Sequence, residues 1–294
     1  MRQAKTKRDE FSYFHPVVNL VYFTLVLGFT VVLRHPASQL ISLVCAIMYT
    51  ATAQGAMAAV NTLKISLPVI LLTAAVNPVF NHQGVTMLCY LPWGNPLTLE
   101  SILYGISAGA VLAASLLWFV NINRVFTSDK FVYLFGRIIP SLSLLLSMTL
   151  RFVPLFRKRL ILVSESRKCV GRDISKGGVI SRMKNAAAVF SIAVTWSLEN
   201  SVDTSDSMKS RGYGLKGRSA YRAYRFEMRD RAVLCALCVL GAFILFGCIS
   251  NGLAFRYFPS VKWVGITPLT VSFQIAYLLL CLTPVLVSHI KFDD

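Results

Sequence analysis

Long apolar stretches constrain the fold of this chain more than any other feature. A helix that crosses a bilayer needs about 20 predominantly apolar residues, and it satisfies its own backbone hydrogen bonds inside the hydrocarbon. The sequence therefore predicts an all-α, polytopic membrane protein with about six transmembrane helices. They lie approximately at residues 17–33, 38–60, 66–79, 100–120, 231–251 and 266–289.

The composition agrees with a membrane protein. Hydrophobic residues make up 55% of the chain and charged residues only 15%, whereas about a quarter of a soluble protein is charged. The net charge of +17 could suggest a nucleic-acid partner, but the Lys and Arg residues lie in blocks apart from the apolar stretches. Nucleic-acid binding is therefore not expected. Because the first stretch ends at Arg34, His35 and Pro36 rather than at small residues, we expect a retained helix and no cleavable signal peptide.

The positive charges predict the orientation, because cytoplasmic loops are enriched in Lys and Arg. With the N-terminus inside, 27 of the 30 Lys and Arg residues lie on the cytoplasmic side, and only Arg34, Arg256 and Lys262 lie outside. We expect both termini in the cytoplasm. The predicted domains are residues 1–120 with four transmembrane helices, a cytoplasmic domain at 121–230, and 231–294 with two further helices.

The third stretch is short, and Pro68 and Pro78 interrupt it. Because an interior proline removes an intrahelical hydrogen bond, we expect this helix to be kinked or to pack mainly against protein. Tyr90, Trp93 and Gly94 follow in a segment that contains no Lys or Arg. Aromatic and turn-forming residues predict a turn at the membrane interface there.

Small residues recur every four positions, at Ala51, Gly55 and Ala59 and at Gly105 and Gly109. This spacing lets helices approach closely, and we interpret it as packing within the chain.

Charged groups are absent from the middle of the predicted spans, since Lys64 is assigned to a loop and Glu100 to a span's edge. An ion-coupled carrier usually needs an intramembrane charge, so the sequence argues against a secondary transporter.

Cys235 and Cys238 have redox or metal spacing, but they lack nearby His residues or a second Cys pair. We interpret them as small apolar residues of a helix.

The central segment, 121–231, is basic, and its first long helix is expected to begin at Pro140. Pro154 predicts a bend or a restart. Beyond it, Phe156, Leu160 and Val163 form one apolar stripe, and Gly171 ends the helix.

A second long helix is predicted from about Ile180 to Arg211, with an apolar first half and a polar second half. Its buried stripe is expected to contain five residues, namely Ala187, Phe190, Ala193, Val194 and Leu198. Gly212 and Gly214 then supply the backbone freedom that ends helices.

Both long helices end in Ser-Arg followed by a break, which makes Arg167 and Arg211 candidate contact residues. One interpretation is a pair of interfacial helices whose basic face meets anionic lipid headgroups. The other is a protein-docking site in which each arginine makes charge-assisted hydrogen bonds to a soluble partner. The residues alone leave these two alternatives open.

Four segments of the sequence resemble a known family. SMKSRGYG, SESRKCVGRD, LSMTLRFVP and the segment from NHQGVTMLCY to GNPLTLES are similar to the T component of energy-coupling factor (ECF) transporters, the CbiQ/EcfT family of prokaryotic cell membranes. The resemblance implies two cytoplasmic coupling helices, each ending in an X-Arg-X motif that inserts into one of two ABC ATPase subunits. Here the motifs are Ser166-Arg167-Lys168 and Ser210-Arg211-Gly212. It also implies a separate substrate-binding S component for a vitamin or metal ion, which the T component couples to the ATPases.

The sequence predicts no catalytic, cofactor or metal site. A phosphate-binding Gly-x-x-x-x-Gly-Lys-Ser/Thr loop is missing from the sequence, so this chain is not expected to hydrolyse ATP. The four histidines do not form a cluster with metal-ligand spacing; they are His15, His35, His82 and His289.

An integral-membrane enzyme is the alternative from another class, and a secondary carrier is a third. An enzyme would need convergent polar groups, and Asp203 with Asp206 is the one suggestive pair. We expect these carboxylates to solvate the helix or to pair with Lys209 and Arg211.

Overall fold

The structure is a computed structural model that describes residues 10–81, 83–90, 96–175, 177–215, 224–250, 252–263, 265 and 267–289. Trp93 and Gly94 of the expected interfacial turn lie outside these residues, as does His82. The chain divides into two compact units, one formed by residues 1–127 and 224–294 and the other by residues 128–223.

Helices dominate both units. After a short 3₁₀ turn at Glu10–Tyr13, the elements in chain order are α1 (Pro16–Val32), α2 (Pro36–Gln54), α3 (Ala56–Phe80), β1 (Met87–Tyr90), β2 (Pro96–Thr98), α4 (Leu99–Val125), α5 (Ser128–Ile138), α6 (Pro140–Cys169), α7 (Val179–Ser210), α8 (Met228–Ile249), β3 (Phe255–Arg256), β4 (Lys262–Trp263) and α9 (Pro268–His289). Five of them, α2, α3, α4, α8 and α9, are long and apolar enough to cross a membrane, and α1 is a shorter apolar helix of 17 residues. The predicted all-α, polytopic membrane fold is confirmed.

The boundary between the second and third helices differs from the prediction. Gly55 has φ of +96° and separates α2 from α3, so Ala51, Gly55 and Ala59 do not share one continuous helix. A Cβ added at Gly55 would meet no atom within 4 Å, which means that this glycine serves as a break and not as a packing site. The expected close packing is therefore wrong at Gly55, whereas Ala59 is buried.

The third helix is not short, because α3 runs for 25 residues through both Pro68 and Pro78. Lys64 lies within α3 rather than in a loop, and its side chain is exposed. The expectation that the spans contain no internal charge is thus wrong at this position. A long lysine side chain can place its ammonium group toward the membrane surface while its methylene groups stay apolar.

The second pair of small residues packs as predicted. A Cβ at Gly105 would lie 3.0 Å from the carbonyl oxygen of Thr73, and one at Gly109 would lie 2.9 Å from the Cα of Ile70. The backbones of α3 and α4 therefore meet closely at these two glycines.

We call the unit formed by residues 1–127 and 224–294 the membrane unit. Aromatic side chains form its centre. Phe11, Tyr22 and Trp118 are fully buried, and Phe11 packs edge-on against Tyr22 with ring centroids 5.0 Å apart. The ring of Tyr49 stacks on that of Trp118 at 6.3 Å. Helices α1, α2 and α4 and the 3₁₀ turn thus share one aromatic core.

Two antiparallel strand pairs lie at the end of the membrane unit where α1 ends and α2 begins. Strand β1 pairs with β2, and β3 pairs with β4 with Arg256 opposite Lys262. The Tyr257 hydroxyl donates a hydrogen bond to the carbonyl oxygen of Arg34 at 3.2 Å, which fastens the segment after β3 to the α1–α2 connection.

Candidate functional site

The candidate residues of the sequence lie on α6 and α7, which pack against each other in the second unit. Helix α6 begins at Pro140 as predicted and continues through Pro154 without a restart, so of the two expected outcomes the bend stays a prediction. The α6 stripe is confirmed, since Phe156 and Leu160 are half-buried and Val163 is buried.

The buried stripe of α7 differs from the prediction. Ala193 is fully buried and Val194 is half-buried, but Phe190 is 59% exposed and Leu198 is 64% exposed; Ala187 is exposed as well. Val189 is buried in place of Phe190. The hydrophobic spacing favours the larger side chain, whereas the fold buries the neighbouring position around the helix.

Aromatic stacking and a cation–π contact hold α6 against α7. The ring of Trp196 stacks on that of Phe152 at 6.1 Å, and the guanidinium of Arg159 lies 5.2 Å from the Trp196 ring centroid. Such a cation–π pair stabilises by about 0.5–1 kcal/mol at exposed sites and more when desolvated. The spacing within one helix does not indicate this contact, because Arg159 and Trp196 lie on different helices.

The connection between α6 and α7 is tied to the first turns of α7. The Asn185 amide donates to the carbonyl oxygen of Asp173 at 3.1 Å, and Nε of Arg182 donates to that of Ile174 at 3.2 Å. Gly178 directly precedes α7 as its N-cap residue.

Both helices end in the same backbone motif. In α6, Gly171 has φ of +77°, its N–H donates to Lys168, and the N–H of Arg172 donates to Arg167 at 3.0 Å. In α7, Gly212 has φ of +79°, and the corresponding bonds run from Gly212 to Lys209 and from Tyr213 to Met208. These are Schellman motifs, in which a left-handed glycine ends the helix and satisfies its last carbonyl groups.

The two arginines do not occupy equivalent positions in this motif. Arg211 is the C-cap residue directly before its glycine, whereas Arg167 lies four residues before Gly171. The position equivalent to Arg211 is held by Val170. The prediction that glycines end both helices is therefore right, but Arg167 and Arg211 do not lie at equivalent positions of the two helix ends.

The two arginines also differ in exposure. Arg211 is exposed, and Arg167 is half-buried with its Nε shielded from solvent and without a hydrogen-bond acceptor among the described residues. The hydroxyls of Ser166 and Ser210 donate to carbonyl groups of their own helices, Leu162 and Ser207. Lys168 is exposed. Within each motif, then, the arginine and not the serine has donors left for a partner.

The acidic residues near the end of α7 are exposed. Lys209 pairs with Asp206 at 3.7 Å with both side chains largely in solvent, and Asp203 is exposed one turn earlier. The described residues contain no cluster of His, Cys, Asp or Glu suited to a metal, and Cys235 and Cys238 are free thiols exposed on α8.

No protein-family model matches the chain. The energy-coupling factor transporter transmembrane protein EcfT of Lactobacillus helveticus is 32% identical over 108 residues, which cover 36% of this chain and 39% of the relative. That of Lactococcus lactis is 27% identical over 34% of this chain and 38% of the relative.

Several curated relatives of this chain are named EcfT. EcfT 1 of Listeria monocytogenes extends the likeness, with 23% identity over 188 residues that cover 59% of this chain and 68% of the relative. The chain covers about two fifths of the length of the first two relatives. The resemblance stated from the sequence motifs is confirmed at low to moderate identity, with several EcfT proteins agreeing, and the relatives' names describe a membrane-embedded transporter component.

Proposed function

We propose that this chain is the T component of an ECF-type ABC importer. In this role it couples two cytoplasmic ATPase subunits to a substrate-binding S component that takes up a vitamin or a metal ion. It is itself non-catalytic, and it lies in a prokaryotic cell membrane with both termini in the cytoplasm. The names of its EcfT relatives support this role.

The observation that carries the proposal is the pair of helix ends on α6 and α7. Each presents an arginine close to an exposed apolar side chain: Val170 is 77% exposed near Arg167, and Leu215 is 71% exposed near Arg211. Arginine is enriched among the residues that dominate protein–protein affinity, and neighbouring contacts such as these apolar side chains would exclude water around it.

The charge of α7 favours a protein over a lipid surface as the partner. Glu199, Asp203 and Asp206 are all exposed on its last three turns, where they would repel anionic headgroups. Arg211 at the C-terminal end has a favourable interaction with the helix dipole, and the two cations of this half of α7, Lys209 and Arg211, lie at its tip. A partner groove with carbonyl or carboxylate acceptors for one arginine fits this pattern.

Single substitutions test the proposal. Arg211→Ala is expected to weaken ATPase binding by about 2–5 kcal/mol, because it removes a charge-assisted contact from an interface. Arg167→Ala is expected to act in the same direction. The readouts are the amount of ATPase that co-purifies with the tagged full chain and the rate of ATP-dependent uptake.

Lys158→Ala is the matched control, since it removes one exposed cation from α6 nine residues before Arg167. It should leave both readouts unchanged. If the Arg167→Ala/Arg211→Ala double variant retained the ATPases and sustained full uptake, the coupling assignment would be wrong.

One observation favours the alternative of a secondary carrier, namely that Lys64 lies inside α3. Its side chain is exposed and has no acidic partner among the described residues, whereas functional intramembrane charges usually face the bundle interior. Uptake that persists without the ATPases and fails in Lys64→Ala would favour the carrier.

A further inference from the structure

The membrane unit contains a cavity of about 480 Å³ at the end where α1 meets α2. Its size lies within the range of about 300–1,000 Å³ that is typical of small-molecule sites. It is lined by the end of α1, the second turn of α4, the last turn of α8 and the segment around β3. These lining segments lie at the depth at which the helices leave the hydrocarbon.

The cavity is cationic at its rim. Arg34 and Arg256 both line it and both are exposed, and Lys262 lies directly across the β3–β4 pair from Arg256. The described lining residues include no Asp or Glu, and neither guanidinium forms an ion pair with a described carboxylate. Two of the three cations that the charge count placed on the outer side thus line one opening, and the third, Lys262, is the strand partner of Arg256.

The walls of the cavity are apolar. Val32, Leu33, Leu253 and Phe255 contribute to them, and Val32 continues onto the membrane-facing side of α1, where it is 61% exposed. An occupant of this cavity would contact positive charge at the rim and hydrocarbon below. That combination matches an amphiphile with an anionic head.

Aromatic rings fix the geometry of the opening. Tyr104 packs against Tyr257 at 5.7 Å and against Phe258 at 5.2 Å, and Tyr257 is anchored to the backbone of Arg34. Tyrosine at the headgroup level is typical of membrane interfaces. The opening is therefore held by ring packing and a backbone contact, and the arginine side chains remain available to a ligand.

We propose that this cavity binds the phosphate-bearing headgroup of an anionic phospholipid. Arg34 and Arg256 donate to the phosphate oxygens, for which the planar guanidinium is well suited, and an acyl chain follows the wall beside Val32. The bound lipid joins the α1–α2 connection to the segment around β3. This site does not depend on the proposed transport function.

Thermal unfolding of the full chain in neutral detergent tests the site, with phosphatidylglycerol, phosphatidylcholine and inorganic phosphate as separate additions. Phosphatidylglycerol is expected to raise the unfolding temperature of the wild-type chain more than phosphatidylcholine does. In Arg34→Gln/Arg256→Gln its apparent affinity should fall by about tenfold or more, as expected for lost hydrogen bonds to a charged group. Among the described residues, the hydrogen bonds to Arg34 are made to its carbonyl group, and the Gln substitution preserves these contacts.

Two further variants complete the test. Ala254→Phe narrows the cavity while both arginines remain, and it should also abolish the effect of phosphatidylglycerol; Lys64→Ala removes a cation elsewhere and should not change it. An equal effect of phosphatidylcholine, or an undiminished effect in the double Gln variant or in Ala254→Phe, overturns the proposal. Full stabilisation by inorganic phosphate alone overturns the lipid assignment in favour of a free anion.

Discussion

His35 caps the N-terminus of α2 through a neutral imidazole. Its Nδ1 accepts a hydrogen bond from the N–H of Ala37 at 3.2 Å, and its ring packs edge-on against Phe255 at 5.6 Å. Burial lowers the pKa of His35, because the charged form loses solvation. His15 caps α1 in the same way, with Nδ1 accepting from Val17 at 3.3 Å, so both His-Pro pairs begin helices.

The lowered pKa predicts a pH dependence of stability. Below the unfolded pKa of about 6.5, the unfolded chain binds a proton at His35 more readily than the folded chain. The free energy of unfolding should therefore fall as the pH drops from about 6.5 toward the folded pKa, and should be independent of this group above that range.

His35→Asn provides the comparison, because asparagine retains a good capping acceptor and does not titrate. Thermal unfolding of both proteins between pH 5 and 8 should show a smaller acid-induced loss in the variant. Identical pH profiles would contradict the prediction.

At the scale of elements, the contact between α3 and α4 depends on glycines that only the three-dimensional packing distinguishes. A Cβ at Gly109 would meet the side chain of Thr73 and the backbone of Ile70, and backbone atoms cannot rotate away. Gly109→Ala should thus lower the free energy of unfolding by about 1–3 kcal/mol, as is usual for overpacking.

Gly28→Ala in α1 is the matched control, since its Cβ would meet no atom within 4 Å. It should be neutral or slightly stabilising, because alanine favours helices over glycine. Unfolding temperatures in detergent give both values, and an equal loss in the two variants would rule out the close contact at Gly109.

At the scale of the whole molecule, a hydrogen-bonded cluster links four helices of the membrane unit. Ser42 on α2 accepts a hydrogen bond from Nε1 of Trp118 on α4 at 3.0 Å, and its hydroxyl lies 2.8 Å from that of Thr30 on α1. The hydroxyl of Thr30 lies 3.1 Å from that of Tyr277 on α9. All four side chains are buried.

Ser42→Ala is expected to destabilise the unit by about 1–2 kcal/mol, because it leaves the indole N–H of Trp118 without its acceptor. Ser272→Ala is the control, since the half-buried Ser272 donates its hydroxyl hydrogen bond to the carbonyl group of Leu269 on its own helix. Tryptophan fluorescence during thermal unfolding measures the stability of both variants. A loss no greater than that of the control would show that the cluster does not stabilise the unit.

Several features could be predicted from the sequence because they depend on local chemistry. The apolar lengths determined the membrane helices, and Pro140, Gly171 and Gly212 determined where α6 begins and where α6 and α7 end, since proline and left-handed glycine restrict the backbone at their own positions. The Ser-Arg motifs also indicated the EcfT likeness. The roles of Arg167 and Arg211 at a partner stay predictions.

Tertiary structure alone decided the rest, because these features depend on which residues meet across helices. It placed Lys64 inside α3, and it showed that Arg167 and Arg211 differ in position and exposure. The fold buries Val189 instead of Phe190 on α7, although the sequence spacing favoured the larger side chain. The cationic cavity joins Arg34 to Arg256, 222 positions away in the chain, and no periodicity within one helix could have brought them together.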